Sequence, residues 1–375
     1  MALQVGFLAV VSLLAYANGA NDNPKGVATL LGAGVSSFRT ALILATTATL
    51  GGALCSTSGS RGLMEAFTGH GLVAQGLPES PSFLGTVGLA AGLTVLLATW
   101  LGLPISTTHS LLGALLGAGL AASGTISMGY LARAFLVPLA FSPLVGLLLT
   151  LALASAFRLL CSRDDLSAGR TGPYCICFDG LRPASLAVTQ AGGLLLQEEE
   201  RVAWGTISEC ERAGGVRILW VDRDSLLRLL HLAAALAVSF ARALNDAPKM
   251  ASLLVVVPGL SVASGYPGLV WIGVVMGLGG ILSCRRVAET MAYRITAFDP
   301  VSGMAASTVT ASLVIMASLW GLPVSTTHVA VGSFIGAGLA NGEVQWVMVR
   351  TIGSAWLITV PVAFILSGVV AVMVV

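Results

Sequence analysis

Residues 21–25 read Asn-Asp-Asn-Pro-Lys, and residues 245–249 repeat them as Asn-Asp-Ala-Pro-Lys. A second motif is also duplicated, because residues 102–109 read Gly-Leu-Pro-Ile-Ser-Thr-Thr-His and residues 321–328 read Gly-Leu-Pro-Val-Ser-Thr-Thr-His. The two motifs recur in the same order at nearly equal offsets, 224 residues for the first and 219 for the second. The sequence therefore indicates a duplication of a whole half of the chain.

The composition indicates that both halves lie in a membrane. Of 375 residues, 56% are hydrophobic and 10% are charged, against roughly 25% charged residues in an ordinary soluble domain. Apolar runs such as 85–101 and 301–320 are near the roughly 20 residues that a helix needs to cross a bilayer. We count about ten such spans by this criterion. The net charge of +2 gives no indication of nucleic-acid binding.

Charged residues are concentrated between the two halves, where the stretch 158–228 holds 19 of the 36 Asp, Glu, Lys and Arg residues. We predict an N-terminal transmembrane repeat at 1–157, a polar extramembrane insert at 158–225 and a C-terminal transmembrane repeat at 226–375. Cysteines in the insert leave metal binding open, but we expect free thiols in a reducing cytoplasm and therefore a cytoplasmic insert. These cysteines are Cys161, Cys175, Cys177 and Cys210.

The Asn-Asp pair of each half is the first candidate binding element. Asn21 and Asp22 end an apolar run and stand just before Pro24, so we expect the helix to break there and restart. A broken helix offers free carbonyl groups to a cation and free N–H groups to an anion. An aspartate at membrane depth is costly enough to indicate a function, and Asp246 repeats it. The structural alternative is a helix cap or an Asx turn.

The Pro-x-Ser-Thr-Thr-His motif is the second candidate element. Proline is favoured at the first helical position, so three hydroxyl groups should gather at a helix N-terminus and form an anion cradle. Gly113 and Gly117, like their counterparts in the second half, form a small-residue face that suits close helix packing. The alternative is an ordinary helix whose Ser and Thr bond back to carbonyl groups. For His109 and His328 we favour a packing role over proton transfer.

Two Arg-Glu pairs support the duplication. Arg61 and Glu65 follow the Asn-Asp pair of the first half at the same distances as Arg285 and Glu289 follow that of the second. Residues four apart meet on the surface of a helix. We therefore predict two ion pairs, which act in structure or in gating.

These motifs resemble those of the PiT family of inorganic phosphate transporters, and the resemblance covers both hydrophobic halves. The specific marks are residues 19–22, their weaker copy at 243–246, both Ser-Thr-Thr-His segments, and residues 286–290 before an Ile-Thr pair. The resemblance implies an all-α membrane fold whose two homologous halves form an inverted repeat of transmembrane helices, with broken helices and re-entrant hairpins. It also implies uptake of phosphate coupled to sodium or protons, with some members similar to sulfate permeases, and a homodimer.

The motifs of this family, together with the two lysines, define a candidate site. The predicted substrate-binding residues are Asp22, Lys25, Ser106, Thr107, Thr108, Asp246, Lys249, Ser325, Thr326 and Thr327. The predicted metal ligands, if sodium is the coupling ion, are Asn21, Asp22, Asn245 and Asp246. We expect no catalytic residue and no tightly bound cofactor, with Na+ or H+ as the coupling ion.

Lys25 and Lys249 depart from the family pattern, in which an asparagine typically stands at this place. They are the only two lysines in the chain. Our hypothesis is that each ammonium group supplies the charge and fills the space of a sodium ion, and a buried lysine could also take part in proton coupling. The alternative is that both lysines snorkel towards water.

The predicted function is secondary active transport of phosphate by alternating access around a midplane site formed by both repeats. Sulfate, or a similar tetrahedral oxyanion, is the alternative within this class. A passive anion channel and an intramembrane hydrolase are alternatives from other classes, although two equal motif copies mark no single nucleophile. We expect a multi-pass protein in the cytoplasmic membrane of a prokaryote.

Overall fold

The computed structural model describes the backbone of residues 2–56, 61–168, 223–257 and 267–374, together with five short strands between 174 and 221. Side chains are described for 4–56, 62–159, 225–257 and 267–374. The chain forms two compact units. One comprises residues 1–155 and 231–375, and the other comprises residues 156–230.

The first half of the chain is a series of helices. In chain order they are α1 (Ala2–Asp22), α2 (Pro24–Gly32), α3 (Phe38–Cys55), α4 (Arg61–Thr68), α5 (Pro81–Trp100), α6 (Thr107–Ser123) and α7 (Val137–Ala168). A 3-10 turn at Leu77–Glu79 precedes α5, and a short turn at Met128–Tyr130 with a π-helical segment at Leu131–Leu136 leads into α7. The first motif thus lies at the junction of α1 and α2, and the second runs from just after the end of α5 into the start of α6.

The second half repeats this order of elements. Its helices are α8 (Arg223–Ala251), α9 (Pro267–Ser283), α10 (Arg285–Tyr293), α11 (Pro300–Leu319), α12 (Thr326–Asn341) and α13 (Trp346–Val374), with a 3-10 segment at Ser252–Val256 after α8. The Asn-Asp motif lies on α8 as it does at the end of α1, the Arg-Glu pair lies on the short helix α10 as it does on α4, and the Ser-Thr-Thr-His motif begins α12 as it begins α6. The duplicated motifs therefore stand at equivalent places in the two halves.

The membrane unit is all-α. Within the described residues, six helical spans are long and apolar enough to cross a membrane, and the pair α9 and α10, bent by 72° at its break, makes a seventh if it counts as one span. This is fewer than the roughly ten runs counted from the sequence at the length of a membrane span. The difference arises partly because α6 and α12 are only 17 and 16 residues long. The chain is an integral, multi-pass membrane protein.

The unit between the halves contains strands that the sequence analysis did not predict. Strand β1 (Tyr174–Asp179) pairs antiparallel with both β4 (Arg201–Thr206) and β5 (Val216–Val221). A separate antiparallel pair is formed by β2 (Leu186–Val188) and β3 (Leu194–Leu196). The four cysteines predicted to be free thiols lie outside the residues whose side chains are described.

The two halves interlock through the helices that carry the Ser-Thr-Thr-His motif. α6 of the first half packs along α13 of the second, and α12 packs on α7. Gly117 lies so close to the carbonyl oxygen of Phe364 that a Cβ atom there would overlap it, and Gly332 meets the carbonyl of Pro143 in the same way. Only glycine allows backbones to approach this closely. The small-residue face therefore joins each motif helix to the last helix of the opposite half.

Candidate functional site

The Asn-Asp motifs lie in helices that are less interrupted than the sequence suggests. α1 ends at Asp22 and α2 begins at Pro24, but Asn23 between them keeps a helical backbone (φ −58°, ψ −32°). In the second half, α8 runs through Pro248 as far as Ala251. In the first half, the expected break is thus only one residue wide. In the second half there is no break, because the proline lies within a continuous helix. Proline removes a single N–H donor, and a helix packed on all sides tolerates that loss.

The Ser-Thr-Thr-His motifs form the N-termini of α6 and α12, as predicted, but each helix begins after its proline: Pro104 lies two residues before the cap and not at the first helical position. Ser106 caps α6 by accepting a hydrogen bond from the His109 N–H at 3.1 Å, and Ser325 caps α12 through His328 at 3.2 Å. The first main-chain bond of α6 runs from Ser110 N–H to the Ser106 carbonyl. The amides before it lie at the positive end of the helix. Both helices therefore present N-termini that suit an anion.

These two helix N-termini meet. The Thr327 hydroxyl donates to the carbonyl of Ile105 at 2.7 Å, and the Thr108 hydroxyl donates to the carbonyl of Val324 at 3.3 Å. Each bond joins a threonine hydroxyl of one motif to the carbonyl of the residue between proline and serine in the motif of the other half. The hydroxyl-rich ends are thereby held face to face.

The motif histidines pack against each other behind these N-termini. The rings of His109 and His328 lie 4.4 Å apart, and His328 stacks on Trp356 at 3.8 Å. The Nδ1 atom of His328 is 3.3 Å from the carbonyl oxygen of Leu139. These contacts agree with the packing role favoured above.

The first Asp-Lys pair is fully buried. The Lys25 ammonium lies 2.7 Å from Asp22 Oδ1 and donates to the hydroxyl of Thr326 at 2.6 Å. Thr326 belongs to the second half, so this lysine links its own carboxylate to the opposite motif. The Lys25 side chain has no exposed surface, which excludes snorkelling towards water in this conformation.

The second Asp-Lys pair has a more complete oxygen shell. The Lys249 ammonium lies 3.0 Å from Asp246 Oδ1, 2.8 Å from the Thr108 hydroxyl and 3.0 Å from the carbonyl of Val324. It also donates to the side-chain oxygen of Asn245. Four oxygen atoms of a carboxylate, an amide, a hydroxyl and a main-chain carbonyl thus surround this cation.

A side chain that the sequence analysis missed joins the two carboxylates. Nδ2 of Asn18 lies 2.9 Å from Asp22 Oδ2, 3.2 Å from Asp246 Oδ2 and 3.0 Å from the Thr107 hydroxyl. The Thr107 and Thr326 hydroxyls lie at 3.4 Å and 3.5 Å from the carboxylates of their own halves. The aspartates of the two repeats therefore flank one amide group.

Arg242, which is 1% exposed, is a further buried group that was not among the predicted site residues. Its Nη1 donates to Asn18 Oδ1 at 3.1 Å, and its Nη2 donates to Asn23 Oδ1 at 3.3 Å and to the Thr49 hydroxyl at 2.8 Å. The bond to Asn18 fixes the orientation of the amide that faces the carboxylates. The signal that could have found it is the repeat itself, since an offset of 224 places position 18 over position 242.

The asparagines predicted as sodium ligands are bonded to the scaffold. Nδ2 of Asn21 donates to the Thr99 hydroxyl at 2.9 Å and to the Leu103 carbonyl at 3.0 Å, while its Oδ1 accepts from the Ile105 N–H at 3.0 Å. Asn245 donates to a serine hydroxyl on α11 at 2.9 Å. Asn21 therefore positions the segment that leads into α6.

The predicted Arg-Glu ion pair of the second half lies at the surface. Arg285 Nε is 2.9 Å from Glu289 Oε1, and both side chains are at least half exposed. The Arg61 side chain of the first half lies outside the described residues. An exposed pair contributes about 0–1 kcal/mol, so this contact adds little to the binding site.

The buried charges define the class of protein. The two aspartates, the two lysines and Arg242 lie beside two helix N-termini where the repeated halves meet. Charged side chains within a membrane domain mark substrate or ion pathways. A multi-pass helical protein with such a site between repeated halves belongs to the class of membrane transporters.

The chain is a member of the Phosphate transporter family, which matches residues 18–367. The predicted family resemblance is thereby confirmed. This family consists of transporters, which also confirms the prediction that the chain is not an enzyme and removes the intramembrane hydrolase.

Similar proteins cover nearly the whole chain. A protein of Pyrococcus horikoshii named "Putative phosphate permease" is 28% identical over 95% of this chain and 94% of its own length. The "Inorganic phosphate transporter 2-1, chloroplastic" of Arabidopsis thaliana is 26% identical over 98% of this chain and 72% of its own. A solved structure titled "The sodium-dependent phosphate transporter" aligns with a TM-score of 0.73 and 23% identity, covering 99% of this chain and 98% of the other. This last similarity shows the fold.

Proposed function

We propose that the chain is a secondary active transporter of inorganic phosphate, coupled to a cation, that works by alternating access around the site where its two repeats meet. The names of its relatives support phosphate as the substrate. The observation that carries the proposal is the pair of Ser-Thr-Thr helix N-termini held face to face beside three buried cations. The ten predicted substrate-binding residues are the proposed ligands of the anion and their immediate supports.

The electrostatics of this arrangement suit a tetrahedral oxyanion. Helix N-termini carry a partial positive charge and unpaired N–H groups, which bind phosphate groups without further adaptation. The ammonium groups of Lys25 and Lys249 add point charges of the kind that phosphate accepts. Each lysine also neutralises the aspartate with which it is paired, so the two carboxylates neither repel the anion nor attract free cations to the site.

The burial of the site supports alternating access over a channel. Asp22, Lys25, Asp246 and Lys249 are each at most 2% exposed. An anion reaches such groups only when the protein opens to one side of the membrane. A channel requires a continuous path through the membrane, and these closed contacts instead suit an occluded state between two openings.

We assign the coupling to protons. The similar solved structure is titled sodium-dependent, but in this chain two ammonium groups occupy oxygen-lined positions beside the carboxylates. Oxygen shells of carbonyls and carboxylates at interrupted helices are the usual sodium sites of transporters. A tethered ammonium in that position leaves no room for the metal ion. Phosphate, unlike sulfate, is able to carry the coupling proton itself at neutral pH.

The test is uptake of radiolabelled phosphate into proteoliposomes that contain the purified protein. We expect accumulation driven by an imposed proton gradient, no change when sodium replaces choline, and little inhibition by excess unlabelled sulfate. Accumulation driven by sodium would overturn the proton assignment. Accumulation of sulfate without phosphate would make the chain a sulfate permease of the same fold, and equilibration without accumulation would indicate a channel.

We further propose an inverted relation between the repeats, a homodimer, and a place in the cytoplasmic membrane of a prokaryote with the insert 158–225 on the cytoplasmic side. The repeated order of elements supports the duplication, and the family resemblance supports its inverted orientation and the dimer. Cysteine labelling from either side of sealed vesicles, at positions in the insert, tests the orientation. Light scattering of the purified protein tests the dimer.

A further inference from the structure

The repeats differ in charge at one buried position. An offset of 224 pairs Asn18 with Arg242, while the neighbouring Asn-Asp and lysine positions are the same in both halves. Asn18 contacts both carboxylates, and Arg242 contacts Asn18. The two side chains therefore meet at the centre of the site, and only one of them carries charge.

This difference sets the net charge of the site. Among the described residues, the Asp, Lys and Arg side chains that are buried are Asp22, Lys25, Arg242, Asp246 and Lys249. Each lysine forms an ion pair with the aspartate three residues before it. Arg242 is left over, so the site carries one net positive charge when all five groups are ionised.

Arg242 has no carboxylate within ion-pair distance in the part of the chain that the structure describes. Its hydrogen-bond acceptors are neutral, and its buried Nε–H has no partner among them. Guanidinium does not lose its proton in proteins, and a buried charge without a counter-ion is costly. One negative charge from outside the protein would neutralise this surplus.

We propose that Arg242 is a specificity-determining residue whose unpaired charge selects an oxyanion that brings one net negative charge. Monovalent phosphate meets this requirement, and divalent phosphate meets it once it has itself taken up the coupling proton, which sulfate does not do at neutral pH. Sulfate remains divalent at neutral pH and would leave the buried site with a net negative charge. The inference rests on the proposed function and adds the reason for which phosphate is preferred over sulfate.

The test compares three variants by initial rates of phosphate uptake in proteoliposomes. Arg242→Asn installs the residue of the equivalent position and removes the surplus charge, and we expect KM for phosphate to rise on the order of 30-fold or more. Arg242→Lys keeps the charge and is expected to keep the exclusion of sulfate. Asn18→Arg adds a second surplus charge, and we expect sulfate to become an effective inhibitor of phosphate uptake.

A merely structural role for Arg242 would lower the amount of folded protein without changing the preference between the two anions. An unchanged KM for phosphate in folded Arg242→Asn overturns the inference, as does strong inhibition of the parent protein by sulfate. If Arg242→Asn does not fold, Asn18→Arg decides the point, because the absence of any gain in sulfate inhibition then contradicts the charge argument. A parent protein that takes up no phosphate would instead overturn the proposed function.

Discussion

The two Asp-Lys pairs are chemically identical but unequally held. Lys25 of the first half touches two oxygen atoms, from Asp22 and Thr326, whereas Lys249 of the second half touches four. The backbone around the first pair is also less regular than the backbone around the second, since the first motif lies between α1 and α2 and the second lies inside α8. The comparison indicates a fixed cation in the second half and a less constrained cation in the first. We expect the first pair to rearrange when the site opens.

The largest expected difference between the halves is in stability. Lys249→Met leaves a buried carboxylate and three further oxygen acceptors without their cation, whereas Lys25→Met leaves one carboxylate and one hydroxyl. Breaking a buried ion pair costs about 3–5 kcal/mol, and each additional buried acceptor left unsatisfied adds about 1–3 kcal/mol. We therefore expect Lys249→Met to lower the thermal unfolding temperature in detergent more than Lys25→Met.

The matched control is Arg285→Gln, which breaks an exposed ion pair and is expected to leave the unfolding temperature within error. Equal losses from the two lysine variants would contradict the unequal oxygen shells. A larger loss from Lys25→Met would reverse the comparison.

The next effect concerns sodium. Replacing both lysines by asparagine removes the tethered cations and leaves their oxygen ligands in place, so we expect the double variant Lys25→Asn/Lys249→Asn to bind Na+. Thermal unfolding in sodium chloride against choline chloride measures this without transport, and a sodium concentration of 100 times Kd stabilises by about 2.7 kcal/mol. The parent protein should show no difference between the salts, and stabilisation of the parent by sodium would contradict the resident-cation hypothesis.

The smallest effect separates two equivalent threonines. The Thr108 hydroxyl accepts from Lys249 and donates to a carbonyl, whereas the Thr327 hydroxyl makes only the bond to the carbonyl of Ile105 among the contacts described. A hydrogen bond to a charged group contributes about 1.5–3 kcal/mol and a neutral one about 0.5–1.5 kcal/mol. We expect Thr108→Val to lower the unfolding temperature more than Thr327→Val, measured in the same buffer.

Much of the fold and of the site follows from local patterns in the sequence. The composition predicts the membrane class, and the Pro-x-Ser-Thr-Thr-His pattern predicts helix N-termini at α6 and α12, although each helix starts at the threonine after its serine cap and not at the proline. The duplication predicts two equivalent sets of motif residues. These signals lie in the composition, in short motifs and in the repetition of those motifs along the chain, so they are readable without a structure.

The remaining features depend on contacts between distant parts of the chain. No local pattern indicates that Lys25 reaches Thr326 or that Lys249 reaches Thr108, since those contacts arise from the packing of each motif helix against the opposite half. Helix continuity through Pro248 is likewise decided by packing. Arg242 lies inside an apolar stretch of α8, and its contacts with Asn18, Asn23 and Thr49 join residues far apart in the chain.

The dependence of transport on the buried site is tested most directly by phosphate uptake in the parent protein, Asp22→Asn and Asp299→Asn. Asp299 caps α11 by accepting hydrogen bonds from the N–H groups of Val301 and Ser302, and asparagine is an equally good cap. We predict that Asp22→Asn abolishes uptake, because it leaves Lys25 buried without its counter-charge, whereas Asp299→Asn retains the parent rate. Uptake by folded Asp22→Asn at the parent rate would contradict transport through this site.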